Sequence, residues 1–371
     1  MFCFSGLAGR YGRNEYVRVG TIMKKILLLS TGGTIAAVHG ADGLVPALQA
    51  EELIALVPEL TDVCEVECRS ILNLDSTNMH PEDWKFIATS IMDELDAYDG
   101  IVVSHGTDTM AFTSSMLSFM LAHVDKSVVL TGSQVPLVEP GSDGRRNILD
   151  AFSVAASGRP GVFVVFNGKI IKGCRAVKVH SARLDAFSSV NQSEAGRVEG
   201  SKVVFRLHEE PVSVRRRLDI RMDERVFLLK LVPGIDASII DFLREKGYKG
   251  LVIEGFGAGG VPNARLDLLD AIRRAVDAGV SVCITTQCLY DGCDIGIYDV
   301  GIAAGKAGAV STFDMTPEAV VTKLMWVLGH THDPAEVQRM MLENYCGEID
   351  PGYRKRLSAL VREIPGSGDR A

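Results

Sequence analysis

The chain has 371 residues, 47% of them hydrophobic and 23% charged, so it is globular and long enough for two domains. A net charge of −8 argues against a nucleic-acid scaffold or a basic membrane-surface protein, and no apolar run reaches the length of a membrane span. Aromatics make up only 6% while glycines number 37, a balance that suits many tight strand-to-helix turns.

Residues 1–22 mix Gly, Arg and aromatics without periodicity and lack the charged start and apolar core of a leader. They are expected to be a mobile extension, or to precede a true start at Met23. A buried-strand pattern runs over 24–30 and stops at Thr31-Gly32-Gly33-Thr34, where glycines allow a sharp turn and close approach to a ligand. Residues 35–47 read as a mobile loop, 50–57 as a helix and 63–70 as a strand. The polar stretch 71–78 reads as the loop that follows. Pro81-Glu82-Asp83 opens the next helix, with proline and acids in its first turn.

The Val-rich run Ile101-Val102-Val103-Ser104 is a strand that stops at His105-Gly106, and a helix-compatible stretch begins at Met110. A strand at 127–130, the loop Thr131-Gly132-Ser133-Gln134, a helix at 146–156 and a strand at 161–166 follow. Residues 172–181 return as a polar-studded extended segment. Charges cluster between His208 and Glu224, which marks an inter-domain linker. A second unit then alternates strands at 226–231, 250–254 and 280–285 with helices at 237–246 and 265–278, before final helices at 317–328 and 335–344. Alternation of this kind means a mostly parallel, doubly wound sheet in a larger N-terminal domain and a smaller C-terminal α/β domain. The expected boundaries are 1–22, 23–207, a linker at 208–225, and 226–371.

The eight cysteines contain no C-x-x-C pair, and Cys283, Cys288 and Cys293 have five-residue steps without flanking histidines. They read as reduced thiols rather than metal ligands. No metal and no cofactor are expected, and the glycine fingerprint of a dinucleotide-binding oxidoreductase is missing after the first strand.

Thr34, Ser76 and Thr107 each lie just past a strand expected in the parallel sheet, so all three can face one crevice at the strands' carboxyl ends. Each has a plainer role available: Thr34 and Thr107 as turn residues, Asp108 as a helix cap, Lys178 as a solvated surface residue. Hydroxyls, a carboxylate and an amine gathered there would suit amide hydrolysis. That reaction needs a nucleophile, a group to activate it, N–H donors for the oxyanion and a proton for the departing ammonia. A lysine beside an acid is a plausible activator of a threonine hydroxyl, and Lys178 is the best placed.

The segments Ser30-Thr31-Gly32-Gly33-Thr34-Ile35, Asp75-Ser76-Thr77-Asn78-Met79 and His105-Gly106-Thr107-Asp108-Thr109-Met110 together resemble the bacterial-type L-asparaginase family. Phe166-Asn167-Gly168, Arg175-Ala176-Val177-Lys178, Asp185-Ala186-Phe187, Gly255 to Pro262, Thr286-Gln287-Cys288 and Asp314-Met315-Thr316 look like its cytoplasmic, type I branch. The resemblance runs from Met23 to about Gly347. It implies a cytoplasmic homodimer or homotetramer in which a neighbour's C-terminal domain closes the pocket. Its activity would be hydrolysis of a small-molecule substrate, L-asparagine, to L-aspartate and ammonia, with no nucleic acid and no membrane involved.

Carried over, Thr34 would be the nucleophile that forms an acyl-enzyme, and Thr107, Asp108 and Lys178 a second triad. Asp108 would also hold the substrate ammonium and Ser76 its α-carboxylate, with Asp75 and Thr77 shaping that loop. The N–H groups that follow Gly33 and Gly106 are candidates for the oxyanion hole. Two departures stand out. Leu44 occupies about the place of a loop tyrosine, which turns attention to Tyr290 and Tyr298, and Gly259-Gly260-Val261-Pro262 lacks an asparagine usual in type I relatives. Glutaminase-asparaginase activity is an alternative, because one methylene in a pocket is worth only about 1–3 kcal/mol. So is the amidase subunit of a tRNA-dependent amidotransferase, although 22 unpatterned residues are too few for that family's extra N-terminal barrel. A catalytically silent binding protein fits poorly with an intact set of Thr34, Thr107, Asp108 and Lys178.

Overall fold

Alternate residues of the first strand are buried on opposite faces, Leu27 and Leu29 in one apolar cluster and Ile26 and Leu28 in another. A strand covered on both sides must be apolar throughout, which is why 26–29 reads as an unbroken hydrophobic run. The computed structural model describes residues 23–40, 43–206, 216–264 and 268–353. The expected extension at 1–22 and the first part of the expected linker, 208–215, lie outside the described residues.

The first unit begins with β1 (Lys25–Gly32), β2 (Ala37–Gly40), β3 (Gly43–Pro46), α1 (Ala50–Ala55), β4 (Glu65–Leu74) and α2 (Pro81–Glu94). It continues with β5 (Gly100–Ser104), α3 (Met110–Met120), β6 (Ser127–Thr131), α4 (Gly144–Ala156), β7 (Gly161–Phe166) and β8 (Lys169–Lys172). Four short strands follow: β9 (Ala176–Lys178), β10 (Phe187–Ser189), β11 (Gly196–Glu199) and β12 (Lys202–Phe205). Eight of these strands form one sheet in the order β12-β11-β8-β7-β6-β5-β1-β4. Neighbours from β4 to β7 run parallel, and β8, β11 and β12 complete the sheet in antiparallel pairs.

Two stretches differ from their sequence reading. The expected mobile loop at 35–47 contains an antiparallel hairpin in which His39 faces Leu44. Most of its residues are exposed, so no buried face imposes an apolar alternation for the sequence to display. The strand expected to stop at Ser70 runs to Leu74, because its pairing with β1 resumes past a bulge and joins Gly32 to Leu74. It is an edge strand, and its part-buried tail, Ile71-Leu72-Asn73-Leu74, runs without a break into the polar turn at 75–78, which hides where the strand ends.

Helices cover both faces of the sheet, with α1 and α4 packing into one apolar cluster and α2 and α3 into the other. The connection β1-α1-β4 steps one way along the sheet, while those through α2, α3 and α4 all step the other way. Since α4 lies on the face opposite α2 and α3, the β6-α4-β7 crossover has the opposite hand to the other three. Such exceptions are rare.

The second unit contains β13 (Val226–Lys230), α5 (Ser238–Glu245), β14 (Gly250–Gly255), α6 (Leu268–Asp277), β15 (Ser281–Thr286), α7 (Asp299–Lys306) and β16 (Val310–Ser311). Helices α8 (Pro317–Leu328) and α9 (Pro334–Leu342) follow. Its four strands are parallel and lie in sequence order. Helices α5, α6 and α7 bury one face of this sheet. The other face packs on α8, and the same apolar cluster continues through α8 into α3 of the first unit. Phe119 stacks on Trp326 across this junction at 6.0 Å, and the hydroxyls of Ser115 and Thr322 bond at 2.9 Å.

A buried ion pair also joins the units. Arg175, fully buried, lies 2.9 Å from the Asp314 carboxylate and donates to the carbonyls of Asp314 and Gly347, each at 2.8 Å. Arg175 directly precedes β9, so this anchor fixes the root of the strand that carries Lys178.

Candidate active site

The crevice forms where β1, β4 and β5 end, since the chain leaves β1 in one direction along the sheet and later crosses back over it. Gly33 has φ of 79° and ψ of −178°, and a Cβ there would stand 2.3 Å from the amide nitrogen of Gly106. Only a glycine allows that backbone and that approach. A Cβ on Gly106 would in turn meet Ser76 Oγ at 2.5 Å. The turns after the three strands therefore touch, and Thr34, Ser76 and Thr107 rise from adjoining backbone.

The polar groups then interlock. Lys178 Nζ donates to Thr107 Oγ1 at 2.8 Å and to Asp108 Oδ1 at 2.5 Å. Thr107 is 4% exposed, and the Lys178 side chain is mostly covered, whereas more than half of the Asp108 side chain is open to solvent. The carboxylate thus compensates the lysine charge on one side while facing outward on the other. Ser76, buried, accepts from the Asp108 N–H at 3.2 Å, and its carbonyl accepts from Thr109 Oγ1 at 2.7 Å. Asp75 accepts from both the N–H and the hydroxyl of Thr77, at 2.9 and 2.8 Å, which shapes the turn around Ser76.

Thr34 is half-buried at the start of a single 3₁₀ turn, Thr34–Ala36. Its hydroxyl bonds to no described residue, and no described hydrogen bond links it to Thr107 or Lys178. The N–H groups of Thr34 and Thr107 donate to no described group either. One open hydroxyl, that of Thr34, and two open N–H groups in the crevice that holds an ion-paired lysine can receive a polar substrate and hold an anionic oxygen.

Gln134 joins this site without having been singled out in the sequence. Thr107 donates to Gln134 Oε1 at 3.1 Å, and Gln134 Nε2 donates to the Arg183 carbonyl at 3.2 Å. Asp143 accepts the Gln134 N–H at 3.0 and 3.1 Å and so fixes the loop. The available signal was its place just past a fourth parallel strand, β6.

Leu44 lies on the hairpin and is 46% exposed, and Tyr290 and Tyr298 are more than half exposed in the second unit. No described contact joins any of the three to Thr34. Cys288 is exposed, while burial pushes the thiols of Cys64, Cys283 and Cys293 up to about 12. All seven described cysteines are free, and no described cluster of three or more His, Cys, Asp or Glu is arranged to hold a metal ion. Among the described residues no helix is long and apolar enough to cross a membrane.

Comparison with known proteins agrees with this geometry. The family profile "Asparaginase, N-terminal" matches residues 25–211, and "Glutaminase/Asparaginase C-terminal domain" matches 225–341. The L-asparaginase of Thermococcus kodakarensis is 42% identical over 326 residues, 88% of this chain and 99% of that protein. Its solved structure superimposes with a TM-score of 0.84 at 41% identity, again over 88% of this chain and 99% of that one. L-asparaginase I of Vibrio cholerae gives a TM-score of 0.80 at 31% identity, with 88% and 99% covered. A glutamyl-tRNA(Gln) amidotransferase subunit of Pyrococcus furiosus is 40% identical over 352 residues, 91% of this chain and 79% of that protein. With both domain profiles in order and the three strand-end turns joined at one crevice, the chain belongs to the asparaginase family.

Proposed function

We propose that the protein is an L-asparaginase that hydrolyses the side-chain amide of L-asparagine to L-aspartate and ammonia. The observation that carries this reading is the lysine: its ammonium lies 2.8 Å from the Thr107 hydroxyl and 2.5 Å from the Asp108 carboxylate. A lysine so placed can pass a proton to or from the hydroxyl while the carboxylate balances its charge. Thr34 Oγ1 attacks the amide carbon and its proton passes to the amide nitrogen, so the C–N bond breaks, ammonia leaves and the acyl-enzyme remains. Water, activated at Thr107 and Lys178, then releases the acid. The N–H groups of Thr34 and Thr107 hold the oxyanion, Asp108 takes the substrate ammonium, and Ser76 takes its α-carboxylate in the turn shaped by Asp75 and Thr77. On this reading the enzyme works in the cytoplasm as a homodimer or homotetramer, as the resemblance of its motifs to the type I branch implies.

A second reading, amidase subunit of a tRNA-dependent amidotransferase, is favoured by the 40% identity to the Pyrococcus furiosus protein over 91% of the chain. Ammonia release by the purified chain with asparagine, glutamine and aspartate separates the two. The first reading expects hydrolysis of free asparagine without a partner. Activity on no free amino acid, restored by an amidotransferase partner, overturns it.

A further inference from the structure

The only fully buried histidine among the described residues stands two positions before Lys178's hydroxyl partner, and no step above uses it. His105 Nδ1 lies 2.7 Å from the carbonyl of Gly106, and Nε2 lies 2.9 Å from Thr113 Oγ1. A carbonyl only accepts, so the proton sits on Nδ1, and Nε2 must accept from the Thr113 hydroxyl. That hydroxyl accepts in turn from the Trp84 indole N–H at 3.0 Å. Every donor in this chain points the same way: Trp84 to Thr113, Thr113 to His105, His105 to Gly106.

The Gly106 carbonyl belongs to the peptide whose other end is the Thr107 N–H. In a planar trans peptide the two point in opposite directions. A donor fixed on the carbonyl therefore aims the N–H away from the protein interior, and polarises it through the shared amide. The Gly106 backbone, pressed between Gly33 and Ser76, cannot carry a side chain that would fix the peptide from that side.

We infer that His105 is a positioning residue for the oxyanion hole, a neutral Nδ1–H imidazole that orients the Gly106–Thr107 peptide so that Thr107 N–H faces the substrate carbonyl. This rests on the amidohydrolase reading above. Complete burial lowers the histidine's pKa to about 4, which keeps the ring neutral through the working range. It is therefore not a proton carrier for the reaction.

The test uses two substitutions with opposite reach. In His105→Asn the amide nitrogen can take the place of Nδ1 and donate to Gly106. In His105→Gln the side chain reaches the Thr113 position and leaves that carbonyl without a donor. An oxyanion donor acts in the transition state, so His105→Gln should lower kcat by about tenfold to 10²-fold with KM for asparagine little changed. His105→Asn should recover most of that loss, and neither variant should shift the pH profile between pH 6 and 9. Equal loss in both variants, or a loss expressed in KM, overturns the proposal while leaving the asparaginase reading intact. A wild-type chain that hydrolyses neither amide overturns that reading instead, and with it the catalytic half of this one. The tautomer is tested independently of activity by ¹⁵N–¹H correlation of the His105 ring, where a proton on Nε2 also overturns the proposal.

Discussion

At the scale of single residues, the arrangement makes Thr107 and Lys178 one unit rather than two contributors. Lys178 donates to the threonine oxygen, and the threonine's own proton goes to Gln134. Thr107→Val keeps the shape and deletes the hydroxyl, so kcat should fall by about 10²-fold or more, of order 3 kcal/mol, with little loss of stability. Lys178→Met should fall similarly, and the double variant should lose far less than the sum. Additive losses in steady-state kinetics would show that the two do not share a step. Asp108 differs because its carboxylate is open to solvent while it pairs with Lys178. If it also binds the substrate ammonium, Asp108→Asn should raise KM as well as lower kcat, by roughly 1.5–3 kcal/mol for a charge-assisted bond. An unchanged KM would reduce Asp108 to a partner of Lys178 alone.

At the scale of elements, the hairpin and helix α8 carry distinct expectations. The exposed Leu44 faces His39 across the hairpin, and His39 reaches Glu139 at 3.1 Å. A leucine there can exclude water but cannot donate. If another tyrosine supplies the nucleophile's hydroxyl neighbour, Leu44→Tyr should change kcat by less than about tenfold, while Tyr290→Phe or Tyr298→Phe costs more. A large gain from Leu44→Tyr alone would assign the missing contact to the hairpin. Helix α8 starts with Thr316 capping Ala319 N–H, and Glu318 follows in its first turn. Burial pushes the Glu318 carboxyl up to about 7, and its Oε2 has no hydrogen-bond partner among the described residues. Its folded pKa exceeds the usual 4.5, so the stability tied to the protonated form is complete below about pH 4.5 and is lost as pH rises toward 7. Glu318→Gln stays neutral and should raise stability at pH 8 by roughly 1–3 kcal/mol, with little effect at pH 4. Denaturant melts at the two pH values check this, and an equal effect at both would count against it.

At the scale of the whole molecule, one apolar cluster runs from the helices of the first sheet through α3 and α8 to the second sheet. Phe119 and Trp326 stack inside it. Phe119→Ala should therefore cost about 3–5 kcal/mol, as for a large core residue. It should weaken both units together in a single unfolding transition, read by circular dichroism and by the fluorescence of Trp84 and Trp326, one in each unit. Two separated transitions in the wild-type chain would mean that the units fold independently. The Arg175–Asp314 pair lies in the same junction, so the second unit also anchors the strand that presents Lys178.

The sequence by itself determined the strand-helix alternation, because strands buried on both faces must be apolar throughout and the helices that cover them each need an apolar face. It also marked the turns that carry Thr34, Ser76, Thr107 and Asp108, since sharp strand-end turns demand glycine and small polar residues in fixed order. The hairpin of β2 and β3 escaped it, as pairing among mostly exposed residues leaves no apolar period, and so did the tail of β4, whose Ile71, Leu72 and Leu74 run straight into the polar turn at 75–78. Only the tertiary structure decided the hand of the β6-α4-β7 crossover, which depends on the face that α4 covers rather than on its pattern. Gln134 and His105 entered the site the same way. Each is positioned by hydrogen bonds to residues far along the chain or on another element, and local sequence does not record which donors and acceptors will meet when distant strand ends close on one crevice.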